Sequence, residues 1–352
     1  MNHSKLLSVI IPTYNMEKYL RRCLDSLIID EEGMKQLEVL VINDGSKDSS
    51  SQIAHEYQDK YPDTYRVIDK ENGNYGSCIN RGLKEATGKY VKVLDADDWF
   101  DTKNFAKLLT VLGGSNVDLM VSDYCKVNES GAVIGRCKYR LPQEEVVFNE
   151  ETRAIFNRKN FQMHAATYKL ELLRKMNYKQ TEGISYTDQE WIYTPLMAVN
   201  TVGYYPRIVY NYLIGRVGQT MSAEALKRGV RQNQQCILRI VRDYAMMPPL
   251  ENQPMAGYLK DQAYISLRTV YSSYLVEYSD LSLDGLLEFD KDIKLVGDNI
   301  LAFSDEIILP GTNYHFVKKW HQNNTRPSSV CYRLNRLVSR VYCRLLREFN
   351  KD

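Results

Sequence analysis

The densest group of reactive side chains lies in VKVLDADDWF, where Asp95, Asp97 and Asp98 fall within four residues at the end of an apolar run. Carboxylates this close raise one another's pKa unless a cation neutralises them, and hard divalent ions such as magnesium or manganese prefer carboxylate oxygens. A metal bridging them to a diphosphate fits the spacing. The alternative is a solvated turn in which Asp98 or Asp101 caps a helix continuing through Phe105, Leu108 and Leu109. A second candidate is Asp44, followed by Gly45 and Ser46. Its carboxylate could accept from a base N–H or a ribose hydroxyl, with Tyr14 flat against the base, or it could serve only as a turn former.

The elements that must position these residues are legible as short apolar runs alternating with amphipathic stretches. Leu6 to Ile11, Leu37 to Ile42, Tyr65 to Ile68 and Tyr90 to Leu94 read as strands in a βαβαβαβ order, hence parallel with right-handed crossovers. Asn15 is expected to N-cap a first helix with Tyr19, Leu20, Cys23, Leu24 and Leu27 on one face. Ile53, Ala54 and Tyr57 mark a second, stopped by Pro62; Cys78, Ile79, Leu83 and Ala86 mark a third, with Gly88 at a left-handed helix end. In such a sheet a ligand lies outside the carboxyl ends of the strands. Those ends are polar throughout: Pro12, Thr13, Tyr14 and Asn15; Asn43 to Ser46; Asp69, Lys70 and Glu71; and Asp95.

Several function classes are excluded. No G-x-G-x-x-G follows the first strand and no G-x-x-x-x-G-K-[ST] occurs, which argues against dinucleotide dehydrogenases and P-loop enzymes. A net charge of +2, from 46 basic and 44 acidic residues, gives no basis for nucleic-acid binding. The early apolar run is far shorter than the roughly 20 residues of a bilayer crossing. Seven scattered cysteines without a C-x-x-C pair suggest reduced thiols in a cytoplasm, and the sequons at Asn2, Asn128 and Asn323 are treated as chance.

Four motifs in order, IIPTYN (10–15), VINDGS (41–46), NGNYGSCINRG (72–82) and LDADDW (94–99), resemble family 2 glycosyltransferases over roughly residues 5 to 220. The resemblance implies an α/β fold of the GT-A type, a mainly parallel sheet flanked by helices. It further implies a nucleotide-diphosphate sugar as donor, uridine diphosphate being the family tendency, and Mn2+ or Mg2+ as cofactor. Pro12, Tyr14 and Asp44 would border the base and ribose, with Thr13 and Asn72 also among the donor-binding residues. Asp95 would face the ribose or donor sugar, Asp97 would carry the metal as the last aspartate of the D-x-D motif, and Asp98 would assist it or orient the sugar. One departure is Cys78, Ile79 and Asn80 where many members have alanine, arginine and asparagine, so a basic contact is lost unless Lys70 or Arg81 substitutes.

Beyond Gly113, Val117 to Val127 and Ala132 to Tyr139 read as a hairpin opening the acceptor half. TEGISYTDQEWIY (181–193) resembles the family stretch bearing the catalytic carboxylate, which makes Asp188 the candidate base. The same residue, or Thr187, could N-cap the helix through Trp191, Ile192 and Leu196. VYNYLIGRVGQTMS (209–222) resembles the arginine loop near the diphosphate, and Arg216 is the candidate phosphate contact; a solvated charge is the alternative. His164 could contact the donor or the acceptor, but a single histidine is more often packing and it is left outside the site.

The expected division is a glycosyltransferase domain over 1–221, with nucleotide half 1–112 and acceptor half 113–221, and a helical region over 222–352. In the latter, Ile237, Leu238, Ile240 and Val241 have helical spacing, and Pro248, Pro249 and Pro254 interrupt. Ser329 to Phe349 forms a basic amphipathic helix, with apolar Val330, Leu334, Leu337, Val338, Val341 and Leu345 largely apart from Arg333, Arg336, Arg340, Arg344 and Arg347. It could lie on an anionic membrane or pack on the protein. The partners expected are a nucleotide-sugar donor and a glycan or lipid-linked acceptor in polysaccharide biosynthesis, with no nucleic acid and no oligomeric state specified. The location expected is cytoplasmic, with peripheral contact at the inner membrane face as an option. A non-catalytic nucleotide-sugar sensor or assembly subunit is the main alternative. A sugar nucleotidyltransferase fits less, because Pro12 to Asn15 offers neither glycine nor positive charge.

Overall fold

The computed structural model describes residues 5–142, 146–147, 149–159, 161–216, 223–247 and 255–349. Asn2, the end of the arginine loop (217–222), and Pro248, Pro249 and Pro254 lie outside the described residues. The chain divides into two compact units, Met1–Gln219 with Pro249–Tyr258, and Thr220–Pro248 with Leu259–Asp352.

The first unit is built on one sheet. Its strands are β1 (Lys5–Thr13), β2 (Leu37–Asn43), β3 (Tyr65–Asp69), β4 (Gly88–Val93), β5 (Trp99–Phe100), β6 (Leu119–Val127), β7 (Val133–Cys137), β8 (Val146–Val147), β9 (Ala166–Lys169) and β10 (Thr201–Leu213). The spatial order is β3-β2-β1-β4-β9-β6-β10-β5, with β7 on β6 and β8 on β10. The first four strands are parallel, as the alternating pattern requires. β9 is antiparallel to both β4 and β6, so β6 and β10 run the same way as β1. The expected hairpin is present as β6 and β7.

Helices cover this sheet: α1 (Glu17–Asp25), α2 (Glu31–Gln36), α3 (Ser50–Lys60), α4 (Asn74–Glu85), α5 (Thr102–Gly114), α6 (Glu150–Lys159), α7 (Leu170–Lys175) and α8 (Asp188–Trp191). Strand β2 is buried at every position, with an apolar run from Val39 to Ile42 and the polar Glu38 and Asn43 buried at its two ends. Leu20, Cys23, Leu24 and Leu27 are sealed from solvent, the face expected of the first helix.

Two local expectations change. Asn15 does not cap α1, whose N-cap is Met16. It takes a left-handed conformation instead, its backbone N–H donating to Ser46 Oγ and its side chain accepting from Lys47 N–H at 2.7 Å. That ties the loop after β1 to the loop after β2. Gly88 is no left-handed helix end but the first residue of β4, where a Cβ would lie 2.6 Å from the backbone nitrogen of Ser8. The need there is close strand approach.

The second unit is helical: α9 (Ala223–Arg228), α10 (Val230–Ala245), most of α11 (Ala256–Ser272), α12 (Asp284–Val296), α13 (Asp298–Asp305), α14 (Phe316–Asn323) and α15 (Val330–Phe349). Its core gathers Ile237 and Val241 of α10 with Leu267, Tyr271, Phe289, Phe316 and Trp320.

In the first unit, α4 meets the segment after α7 without room for a side chain. A Cβ on Gly76 would lie 1.9 Å from the carbonyl oxygen of Thr181. Gly76→Ala should therefore cost about 1 to 3 kcal/mol of stability through overpacking. Thermal melts should show a lowered Tm for Gly76→Ala and none for Gly114→Ala, where a Cβ meets open space.

Candidate functional site

The loops at the carboxyl ends of β1 to β4 form two adjoining clusters. In the first, Asp44 is buried and its carboxylate accepts from Lys70 Nζ and from the backbone N–H of Gly73 at 2.9 Å. Asn72 donates to the Asp44 carbonyl at 3.0 Å. Lys70 also reaches Ser77 Oγ at 2.9 Å, whereas Arg81 is drawn away to Glu85. Of the two basic residues that could replace the missing arginine, Lys70 is the one beside Asp44. Tyr14 leaves 45% of its surface exposed above β1, a ring free for stacking. Pro12 sits in β1 in register with Ile42. Thr13 is buried and its hydroxyl is used internally, on the carbonyl of Ile11.

The second cluster surrounds the three aspartates. Asp101, not Asp98, caps α5, accepting from Asn104 N–H at 2.9 Å, so the solvated-turn reading leaves Asp95, Asp97 and Asp98 unexplained. Asp98 has no exposed surface; its oxygens accept from Tyr210 Oη and from Leu213 N–H, both at 2.7 Å. Asp95 accepts from Tyr75 Oη at 3.0 Å. Asp97 is ion-paired with Arg216 Nε. Loss of water, then the nearby charge of Asp97, pushes Asp95 up to about 7, and burial with both neighbours raises Asp98 well above the carboxylate range. The repulsion expected from spacing alone is thus present, with Arg216 as partial compensation.

His164 belongs to this cluster. One of its ring nitrogens and a carboxylate oxygen each from Asp95 and Asp98 all lie within 4.8 Å of one another. Its ring stacks on Tyr212 at 4.3 Å and meets Tyr210 edge-on at 4.7 Å. Burial, followed by Lys92, pushes it down to about 3, which keeps the imidazole neutral. Its Nδ1 is buried with no hydrogen-bond partner among the described residues. Two carboxylate oxygens and a ring nitrogen of a neutral imidazole whose Nδ1 is unpartnered are a three-atom donor set that fits a divalent cation. Asp97, the residue expected to hold the metal, is paired with the Arg216 guanidinium beside this group of Asp95, Asp98 and His164.

Lys92 explains why His164 sits there. Buried within β4, it donates to the carbonyls of His164 at 2.8 Å and Ala166 at 3.1 Å, fixing the 3-10 turn Met163–Ala165. Burial pulls its amine down to about 7. The sequence reading left His164 outside the site and did not single out Lys92. The usable signal was a lysine inside the apolar run Tyr90 to Leu94, whose buried amine needs acceptors from a neighbouring segment.

Asp188 is the first residue of α8, and Thr187 precedes it without a side-chain cap. Loss of water raises Asp188 to about 6, against two backbone N–H groups that hold it down. Its charge is felt by Asp95 and by Tyr75, and burial of the Tyr212 phenol is reinforced by Asp98, Asp95, Asp188 and Asp97 together. Asp188 thus lies within electrostatic range of Asp95 and Tyr75. Helix α4 fixes its approach: Asn80 donates to the Gln180 carbonyl and accepts from the Gln180 N–H, each at 2.8 Å. Buried Gln180 in turn holds the Thr187 carbonyl at 2.5 Å.

The glycosyl transferase family 2 sequence model matches residues 8–179. An uncharacterized glycosyltransferase, the MG060 homolog of Mycoplasma pneumoniae, is 31% identical over 222 residues, covering 61% of this chain and 71% of the relative. The uncharacterized glycosyltransferase MG025 of Mycoplasma genitalium is 32% identical over 180 residues, covering 47% of this chain. The chain spans only 58% of that relative's length. Among solved structures, S. aureus TarS 1–349 in complex with UDP-GlcNAc is similar with a TM-score of 0.67 at 19% identity, covering 91% of this chain and 92% of that one. That likeness shows the GT-A fold. With the matched motifs lining the strand ends just described, the chain belongs to glycosyl transferase family 2.

Proposed function

We propose that this chain transfers a sugar from a nucleotide diphosphate to a carbohydrate or lipid-linked glycan acceptor in polysaccharide biosynthesis, with inversion at the anomeric carbon. The observation that carries the reading is Asp188, raised toward neutrality by burial, within electrostatic range of Asp95 in a cluster with Asp97 and Asp98. UDP-GlcNAc in the TarS complex supports a uridine diphosphate donor. In this reading residues 1–112 bind the nucleotide, 113–221 face the acceptor, and the helical region 222–352 is accessory; the enzyme works in the cytoplasm.

Roles follow from the surroundings of each group. Tyr14 stacks on the base at the edge of Pro12 and Thr13. The Asp44 carboxylate, oriented by Lys70 and Gly73, accepts from the nucleoside, with Asn72 holding that loop. Asp95 and Asp98 face the donor sugar. Asp97, assisted by Asp95, Asp98 and His164, would hold Mn2+ or Mg2+, which when bound neutralises the departing diphosphate. Arg216 and Asp97 now neutralise each other; a cation on the acid and a phosphate against the guanidinium preserve the same balance of charge.

Asp188 is the general base. As the acceptor hydroxyl oxygen bonds to the anomeric carbon, the bond to the diphosphate oxygen breaks on the opposite face, and the hydroxyl proton passes to the Asp188 carboxylate. No covalent enzyme intermediate is needed. A value raised toward neutrality improves a carboxylate as a base while leaving it ionised at neutral pH. The sensor reading requires no such tuned acid.

Three outcomes are expected. Asp188→Asn should retain donor binding and lose roughly 100-fold or more in turnover; unchanged turnover in a donor hydrolysis and transfer assay would favour the sensor. Because the base acts deprotonated, turnover should fall as pH drops through about 6, and a rate profile flat across that range would remove Asp188 from the role. Asp97→Asn should weaken nucleotide diphosphate binding in calorimetry only when manganese or magnesium is present.

A further inference from the structure

The terminal helix α15 is mounted with its polar side inward. Tyr332 and Ser339, seven residues apart, are buried, the Tyr332 hydroxyl donating to the Leu275 carbonyl at 3.2 Å. Arg336 on the same side donates to the carbonyl of Val276 at 2.5 Å, within the same unit. The opposite face carries Val330, Leu334, Leu337, Val338, Val341 and Leu345, each between 48% and 74% exposed. A surface helix ordinarily turns such a stripe toward the core and its charges outward. Here the stripe is exposed, and contiguous apolar patches of this kind mark an interaction site.

The charges beside the stripe identify what covers it. Arg333, Arg340 and Arg344 are exposed, at spacings of seven and four residues that keep them along one flank of the apolar face. From Ile307 to Arg347 the sequence contains no aspartate or glutamate. A second copy of this helix would set arginine row against arginine row, with a single acid, Glu348, at the helix end. A bilayer with anionic headgroups supplies both the apolar layer and the negative charge. No helix among the described residues is long and apolar enough to cross a membrane, so the geometry is that of a helix lying in the interface.

We infer that α15 is a docking surface for an anionic lipid bilayer, with its leucines and valines in the acyl boundary and its arginines at the headgroups. The inference goes beyond the sugar-transfer reading, although a lipid-linked acceptor would be met at the same surface. It is tested without acceptor or donor, so the two readings fail separately.

The test is co-sedimentation of the full chain with vesicles of phosphatidylcholine alone, or with about a third phosphatidylglycerol added. Binding is expected only with phosphatidylglycerol. At about 1 kcal/mol for each basic residue near the surface, replacing Arg333, Arg340 and Arg344 by glutamine together should weaken binding roughly 100-fold. Leu337→Glu with Val341→Glu should abolish it while the Tm and nucleotide diphosphate binding stay unchanged, since both side chains are exposed. Absence of binding to either vesicle, or equal binding by the glutamate variant, would overturn the inference. So would a self-associated species in sedimentation equilibrium that the glutamate variant disperses, which would assign the face to a second copy.

Discussion

Carboxylates held together at a strand tip with little water repel one another, and much of the surrounding chain is arranged to contain that repulsion. Tyr210 and the Leu213 N–H hold Asp98, Tyr75 holds Asp95, and Arg216 pairs with Asp97. Arg22 approaches the same turn from α1, donating to the Asp97 carbonyl at 3.2 Å while its guanidinium lies 3.6 Å over the Trp99 ring. These contacts come from α1, α4 and β10, so the sheet and its flanking helices converge on a single electrostatic requirement. A fold that placed the acids without those partners would leave buried charge uncompensated.

The nucleotide half was largely legible because its signals are local. Short apolar runs such as Val39 to Ile42 read as strands covered on both faces, and the polar residues after them fall at the ligand edge by topology. Asp44 and the aspartate cluster could be picked out for the same reason. Local sequence could not assign the cap of α5, because Asp98 and Asp101 are equally suited to it by type. The choice rests on Tyr210 and Leu213, more than a hundred residues away, which claim Asp98 first.

His164 and Lys92 illustrate what stays hidden. Neither belongs to a motif, and their meeting depends on β9 entering antiparallel between β4 and β6, a placement no periodicity encodes. Once β9 is there, the Lys92 amine finds two carbonyls and the His164 ring finds a cage of tyrosines. Asn15 shows the same limit at short range. Its type suits a helix cap, but the Ser46 hydroxyl and Lys47 N–H compete for it from the neighbouring loop.

The contact between Gly76 and Thr181, with the double grip of Asn80 on Gln180, mounts the Asp188 segment directly on α4. The two stretches are a hundred residues apart in the chain, yet they behave as a single casting. Recombination between related chains would therefore have to carry residues 74–85 and 178–190 from the same parent. A crossover placed between them, however neatly it separated the halves in sequence, would pair a helix with a loop cut to another mould.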